Sequence, residues 1–219
     1  MPRLLFEKKG SAVWISHLDL MRLFQRAFKR AGLSLTHTQG FNPRPSVSIA
    51  LPLSVGVESA CELLDFDLED VNVSCEEITE RLNHALVSGV KVLKTYENGK
   101  KLKELALLSC QIVLEYDQGV PETAKDHIEA MLDQESLVVD KRSKNGITQQ
   151  DIIPLIRHAD LQLQDDKTLV IDAVVCCQNP TLNPMQICVA IEKYLPDLKP
   201  DFSKIRRIEL FDSKEKIFR

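Results

Sequence analysis

No two cysteines in this 219-residue chain stand at the C-x-x-C spacing of a structural zinc site, and no C-x-x-x-C-x-x-C run is present to hold an iron–sulfur cluster. The six that occur, Cys61, Cys75, Cys110, Cys176, Cys177 and Cys188, are scattered. They read as small buried hydrophobes of a reducing compartment rather than as disulfides or ligands. Cys176 and Cys177 are neighbours on an expected strand, so they point to opposite faces and do not readily share a metal. Also missing is the G-x-x-x-x-G-K pattern of a nucleotide-binding loop. Nowhere do about 18 uncharged apolar residues follow one another, and the start, MPRLLFEKKG, has no apolar run of secretory length. The expectation is a cytoplasmic protein with no membrane partner, no metal and no cofactor. Hydrophobic content of 44% with 27% charged residues is ordinary for a folded chain, so disorder is not expected.

What the chain does have is a lopsided charge. Its net charge is −4, yet residues 1–50 carry eight basic side chains against Glu7 and Asp19. Half of those basic side chains, Arg22, Arg26, Lys29 and Arg30, fall in one stretch, SHLDLMRLFQRAFKRAGL. Ser16 is a good N-cap, Asp19 sits at the third helical position where it meets both the cap and the helix dipole, and Gly32 supplies a C-terminal stop. Leu20, Leu23, Phe24, Ala27, Phe28 and Ala31 recur at spacings of three and four and form the packing face. Arg22, Gln25, Arg26, Lys29 and Arg30 occupy the other. Residues 36–45 follow, a loop rich in Gly, Asn and Pro, which constrain the backbone and shape it.

Taken in order, residues 2–8 alternate as a strand, with Leu4, Phe6 and Lys8 on one side and Arg3, Leu5 and Glu7 on the other. Gly10 makes a turn before residues 12–15 extend that strand. After the basic helix come strands at 46–50 and 61–68, a helix capped by Ser74, and a strand at 90–95. The polar run ENGKKLK marks a boundary near residue 105. A similar order then returns: strand 110–116, helix 121–134, strand 137–140, a capped turn or short helix interrupted by Pro154 over 147–161, strand 168–177, a helix with Asn183 as N-cap and Pro184 at its start, and strand 205–211. The fold expected is α+β, with two tandem ferredoxin-like β-α-β-β-α-β halves, residues 1–105 and 106–219, each with an antiparallel sheet.

The runs SHLDLMR, RAFKRAGL and QGFNPRPSVSIALPLSVGVES resemble the N-terminal signature of a bacterial domain family of unknown function, the radical-SAM-linked proteins. Its members are encoded beside a radical SAM protein or fused to its C-terminal end. The residues that carry the resemblance are Ser16, His17, Asp19, Arg22, Gln39, Gly40, Phe41, Asn42 and Pro43, continuing to Gly56 and Glu58. Where members tend to show an aromatic residue, this chain has His37. The resemblance implies a radical SAM protein as partner and implies no activity.

Function is weighed on the same residues. His17 and Asp19 stand two apart, share no helix face and belong to no Ser/His/Asp or Cys/His set. They serve either as a helix cap with a hydrogen bond to the next loop, or as part of a polar pocket against 39–44 in which His17 titrates near neutrality and acts as acid or base. Arg22, Arg26, Lys29, Arg30 and Arg44 form either a solvated face or a stripe suited to phosphate. Phe41 stacks on a base or, as the more ordinary reading, anchors its loop in the core, with Asn42 and Arg44 as polar readers beside it. His84, His127 and His158 have no metal spacing and no assigned chemistry. The segment 58–80 holds nine carboxylates and no base, so any nucleic-acid footprint is local.

The leading expectation is a non-catalytic accessory protein of a radical SAM enzyme. It binds RNA or another phosphate-bearing substrate through Ser16, His17, Asp19, Arg22, Arg26, Gln39, Phe41, Asn42 and Arg44. One alternative is a metal-independent RNA endonuclease with His17 as general base, by analogy to repeat-RNA processing nucleases of tandem ferredoxin-like fold. The other is a protein-interaction scaffold.

Overall fold

A lysine on an apolar strand face has to find acceptors when it is buried, and the first strand contains one. In β1, Arg3–Lys8, the side chains of Leu4, Phe6 and Lys8 share one face and are fully buried. Lys8 Nζ donates to the carbonyls of Val13 and Ile15, each at 3.1 Å. A computed structural model of the chain describes residues 1–143 and 146–219. These divide into two units, Met1–Leu102 with Arg219, and Lys103–Phe218.

The two carbonyls that Lys8 holds belong to and follow a 3-10 turn, Gly10–Trp14. This corrects the expected strand over residues 12–15. Gly10 turns the chain at φ +58°, a conformation that favours glycine, and the ammonium then collects the carbonyls behind the turn. The turn delivers Ser16 as the N-cap of α1, His17–Arg30. Ser16 Oγ accepts the Asp19 N–H at 3.2 Å, and the Ser16 hydroxyl donates to Asp19 Oδ2 at 2.8 Å. At the other end Gly32, at φ +67°, lets the Leu33 and Gly32 N–H groups return to the carbonyls of Phe28 and Lys29 in a Schellman motif. Leu20, Phe24, Ala27 and Phe28 are buried. Phe24 meets Phe6 edge-on at 4.7 Å between ring centres, and Phe28 meets Phe66 at 5.0 Å.

The first unit continues with β2, Val47–Ile49, β3, Val57–Phe66, α2, Cys75–Ala85, and β4, Val90–Tyr96. β3 starts four residues earlier than the strand expected from residue 61. Ser74 Oγ caps α2 at the Glu77 N–H, and the Asn83 amide clamps that helix to β4 through both the N–H and the carbonyl of Val92. Every pairing is antiparallel, and the strand order is β4-β1-β3-β2.

The second unit comprises β5, Leu105–Glu115, α3, Ala124–Leu132, β6, Val138–Ser143, β7, Gly146–Asp151, β8, Ile156–Asp165, β9, Thr168–Cys176, α4, Met185–Tyr194, and β10, Phe202–Asp212. Its main sheet runs β10-β5-β9-β8, again antiparallel, with β8 in the outer place that β2 takes in the first unit. The turn or short helix expected over 147–161 is instead β7, a 3-10 turn at Ile153–Leu155, and β8. Asp151 Oδ1 accepts from the Leu137 and Ile153 N–H groups and fixes the reversal, while Pro154, which lacks an N–H, fits the tight turn. β6 and β7 pair as a separate hairpin, so this unit holds two more strands than a β-α-β-β-α-β order. α4 begins one residue later than expected, with Pro184 at the cap position and Asn183 Oδ1 accepting the Met185 N–H at 3.2 Å. Lys193 Nζ and Tyr194 OH both donate to the Val138 carbonyl, which ties α4 to β6.

The architecture is therefore mixed α+β, with antiparallel sheets and four helices among the described residues. No described helix is long and apolar enough to cross a membrane.

Replacing Lys8 by methionine keeps the apolar stem and removes the donor. Each carbonyl left buried without its partner costs about 1–3 kcal/mol. Urea unfolding of Lys8→Met is expected to show a loss of that order with an unchanged m-value, whereas Lys9→Met, at an exposed side chain, changes little.

Candidate functional site

The start of α1 is built by three elements. The 3-10 turn is held from one side by Lys8 and from the other by the segment leading into β3. The Gly56 N–H donates to the Val13 carbonyl at 2.9 Å, and the Gly10 N–H donates to Glu58 Oε1 at 3.2 Å. Gly56 and Glu58, the far end of the signature run, thus hold the turn that aims the helix. The Trp14 indole lies against Gly56, 3.9 Å from where a Cβ would stand, and is 68% exposed.

On α1 itself, Ser16, Asp19 and Arg22 form one hydrogen-bonded chain that ends in the Arg22–Asp19 ion pair at 2.9 Å. The Ser16 hydroxyl first, and then the Arg22 guanidinium, hold the Asp19 carboxyl below the usual carboxylate range. His17 Nδ1 is shut away from solvent without a hydrogen-bond partner, and the ring makes no bond to the loop that follows the helix. Of the expected cationic stripe, Arg22 is paired and Arg30 donates to the Ala85 carbonyl at 2.6 Å, while Arg26 and Lys29 are exposed and make no ion pair among the described residues.

The loop closes on itself. The Thr36 carbonyl accepts the Ser46 N–H, the Arg44 carbonyl accepts the Thr38 N–H, and Thr38 Oγ1 accepts the Arg44 N–H. With the His37 and Pro45 bridge these bonds form a short hairpin stem whose tip is residues 39–43. Gln39, Phe41 and Asn42 on that tip, and Arg44 beside it, are all exposed. Phe41 stands 106% exposed, which corrects the reading of it as a core anchor. The base of the stem is anchored to Asp67, whose carbonyl accepts the Thr36 N–H and whose N–H donates to the Ser46 carbonyl, and the ring stands outside at the far end. No hydrogen bond or ion pair joins this hairpin to α1 among the described residues. The candidate residues thus form two groups, the Ser16–Asp19–Arg22 chain and the hairpin tip.

Elsewhere, Arg3 grips Asp65 through two bonds of 2.5 and 3.0 Å and donates to the Lys100 carbonyl. Burial pushes the Cys110 thiol up to about 12 and also raises the Cys188 thiol. Among the described residues no cluster of three or more His, Cys, Asp or Glu is placed to hold a metal ion. Sequence reading missed Trp14, which lies exposed beside Gly56, and the role of Lys8, although its place in the Leu4, Phe6, Lys8 alternation was the signal.

A family model described as an uncharacterized protein conserved in bacteria, DUF2344, matches residues 2–184. The chain belongs to this family. No curated protein matches the DUF2344 chain. Among solved structures it is similar to a chain in the crystal structure of a Cbf5-Nop10-Gar1 complex, with 9% identity and a TM-score of 0.51 over 95% of this chain and 48% of that one. It thus spans about half the length of the solved chain, and at this identity the likeness is one of fold alone. An unknown protein from Galdieria sulphuraria aligns over 94% of the DUF2344 chain and 96% of its own, with 10% identity and a TM-score of only 0.26.

The cap network predicts a pH signature. An aspartate whose folded pKa is depressed adds stability above its unfolded value and loses it as pH falls through the folded value. The melting temperatures of the native chain and Asp19→Asn should therefore differ at neutral pH and converge as pH drops below about 4. Ser16→Ala should cost about 1 kcal/mol at neutral pH in urea unfolding.

Proposed function

We propose that this chain is a non-catalytic accessory protein that binds a phosphate-bearing chain, RNA in the first instance, and presents it to a radical SAM partner. The observation that carries the reading is Phe41, a phenyl ring held wholly in solvent at the tip of a closed hairpin, with Gln39, Asn42 and Arg44 around it. An exposed ring on a shaped loop is costly in water and suited to stacking on a base, and the guanidinium beside it is suited to the phosphate. Arg26 and Lys29, exposed and unpaired, supply the steering charge. The strand orders β4-β1-β3-β2 and β10-β5-β9-β8 support reading each unit as a ferredoxin-like half, the second with the β6–β7 hairpin inserted. The radical SAM partner rests on the resemblance of the SHLDLMR and QGFNPRP runs.

An endonuclease with His17 as base has less support, since no carboxylate or hydroxyl is bonded to the ring to orient it. A protein-interaction scaffold is supported by Trp14, Leu18 and Val55, all large and exposed.

Fluorescence anisotropy with a labelled single-stranded RNA tests the reading. Phe41→Ala is expected to lose about 1–3 kcal/mol of binding. Arg44→Ala and Arg26→Ala should each lower the salt slope by about 0.7, while Arg22→Ala, already paired to Asp19, should change it less. Absent binding, or binding insensitive to salt, removes the RNA claim.

A further inference from the structure

β8 is an unusual edge. It is ten residues long, pairs with β9 on one side, and among the described residues no strand pairs with the other. An open edge presents a row of unpaired N–H and C=O groups, and folded proteins ordinarily blunt it with charge or keep it short. β4, at the edge of the first unit's sheet, follows that rule with the exposed side chains of Lys91 and Lys94. β8 is blunted at its ends, where Arg157 and Asp165 stand and where bulges break the register between Ile156 and His158 and between Leu163 and Asp165. Between them its central run, Ala159 to Leu163, keeps a regular register with one charge, and Leu163 is 59% exposed.

We propose that β8 pairs with β8 of a second copy of this chain, antiparallel and centred on Leu161. The sequence IRHADLQLQD is complementary to itself in that register. Leu161 meets Leu161 once, on the twofold axis, while Asp160 meets Gln162, Ala159 meets Leu163, and Arg157, beyond one bulge, comes beside Asp165, beyond the other, each of these three pairs occurring twice by the symmetry. The structure supplies a reason for the pairing of Ala159 with Leu163. Ala159, Leu161 and Leu163 fall on one face by the strand period, and the register with β9 is regular from His158 to Leu163. On that face lies a cavity of about 400 Å³, with Leu132, Ile156, Ala159 and Leu161 on its apolar side and Glu129, Asp133 and Arg157 at its polar rim. The small Ala159 side chain leaves room beside it, and this register sets the partner's exposed Leu163 there. Leu163 thereby leaves water on the same step that pairs the edge.

Light scattering with sedimentation velocity on the full chain, over a micromolar concentration series, tests this. The native chain is expected to be a dimer in exchange with monomer. Arg157→Asp places like charges opposite one another twice and should weaken dimerisation by about tenfold or more. Leu163→Lys should weaken it as well. The double variant Arg157→Asp with Asp165→Asn removes the repulsion while keeping an acceptor for the Lys167 N–H that closes the β8–β9 turn, and should bind more tightly than Arg157→Asp alone, which guards against a single variant that merely misfolds. A monomer at every concentration overturns the proposal and leaves the edge to another protein's strand. A dimer that Arg157→Asp leaves as tight as before, or a double variant that stays as weak as Arg157→Asp, overturns it too.

Discussion

The contact on which the first unit depends is a buried ammonium. Lys8 is fully enclosed, and its donors collect the Val13 and Ile15 carbonyls just ahead of the Ser16 cap. A charge taken from water survives only where polar partners meet it, so the 3-10 turn has to stand where it does for β1 to fold as it does. The turn in turn sets the origin and direction of α1. Gly56 and Glu58 brace it from the β3 side, which gives a structural reason for the far end of the QGFNPRPSVSIALPLSVGVES run. The signature thus mixes residues that aim the helix with residues that lie exposed at the hairpin tip.

The charge imbalance looks different once partners are known. Nine carboxylates between residues 58 and 80 oppose an anion on a raw count. Several are committed internally: Asp65 to Arg3, Glu77 to Arg81, and Glu58 to the Gly10 N–H. The basic face shrinks in the same way, since Arg22 and Arg30 are engaged directly, while among the described residues Arg26, Lys29 and Arg44 have no ion pair. What is left over is a smaller cationic set than the composition promised, with an aromatic ring that composition did not promise at all.

Elements defined by neighbours in the chain were legible from sequence. The Ser16 and Ser74 caps, the Gly32 stop and the three-and-four spacing of Leu20, Phe24, Ala27 and Phe28 are local rules, and each appears in the fold. Elements set by distant partners were not. The segment 12–15 alternates well enough for a strand, and Lys8, Gly56 and Glu58, reaching from other elements, hold it as a turn. The polar run ITQQD carries no apolar period, so its strand state follows from pairing with β6, which sequence could not supply. Phe41 departs from the expectation because a lone phenylalanine is most often buried, and the stem that holds it out, bonded within 36–46 and at its base to Asp67, depends on distant geometry.

Ultraviolet cross-linking of a short uridine-rich RNA to the intact chain, followed by mass spectrometry of the linked peptides, tests most directly that the hairpin tip is a nucleic-acid contact. The account predicts that the main adduct lies on the peptide containing Phe41 and disappears in Phe41→Leu. An adduct confined to other peptides, or none under conditions where the RNA is bound, contradicts it.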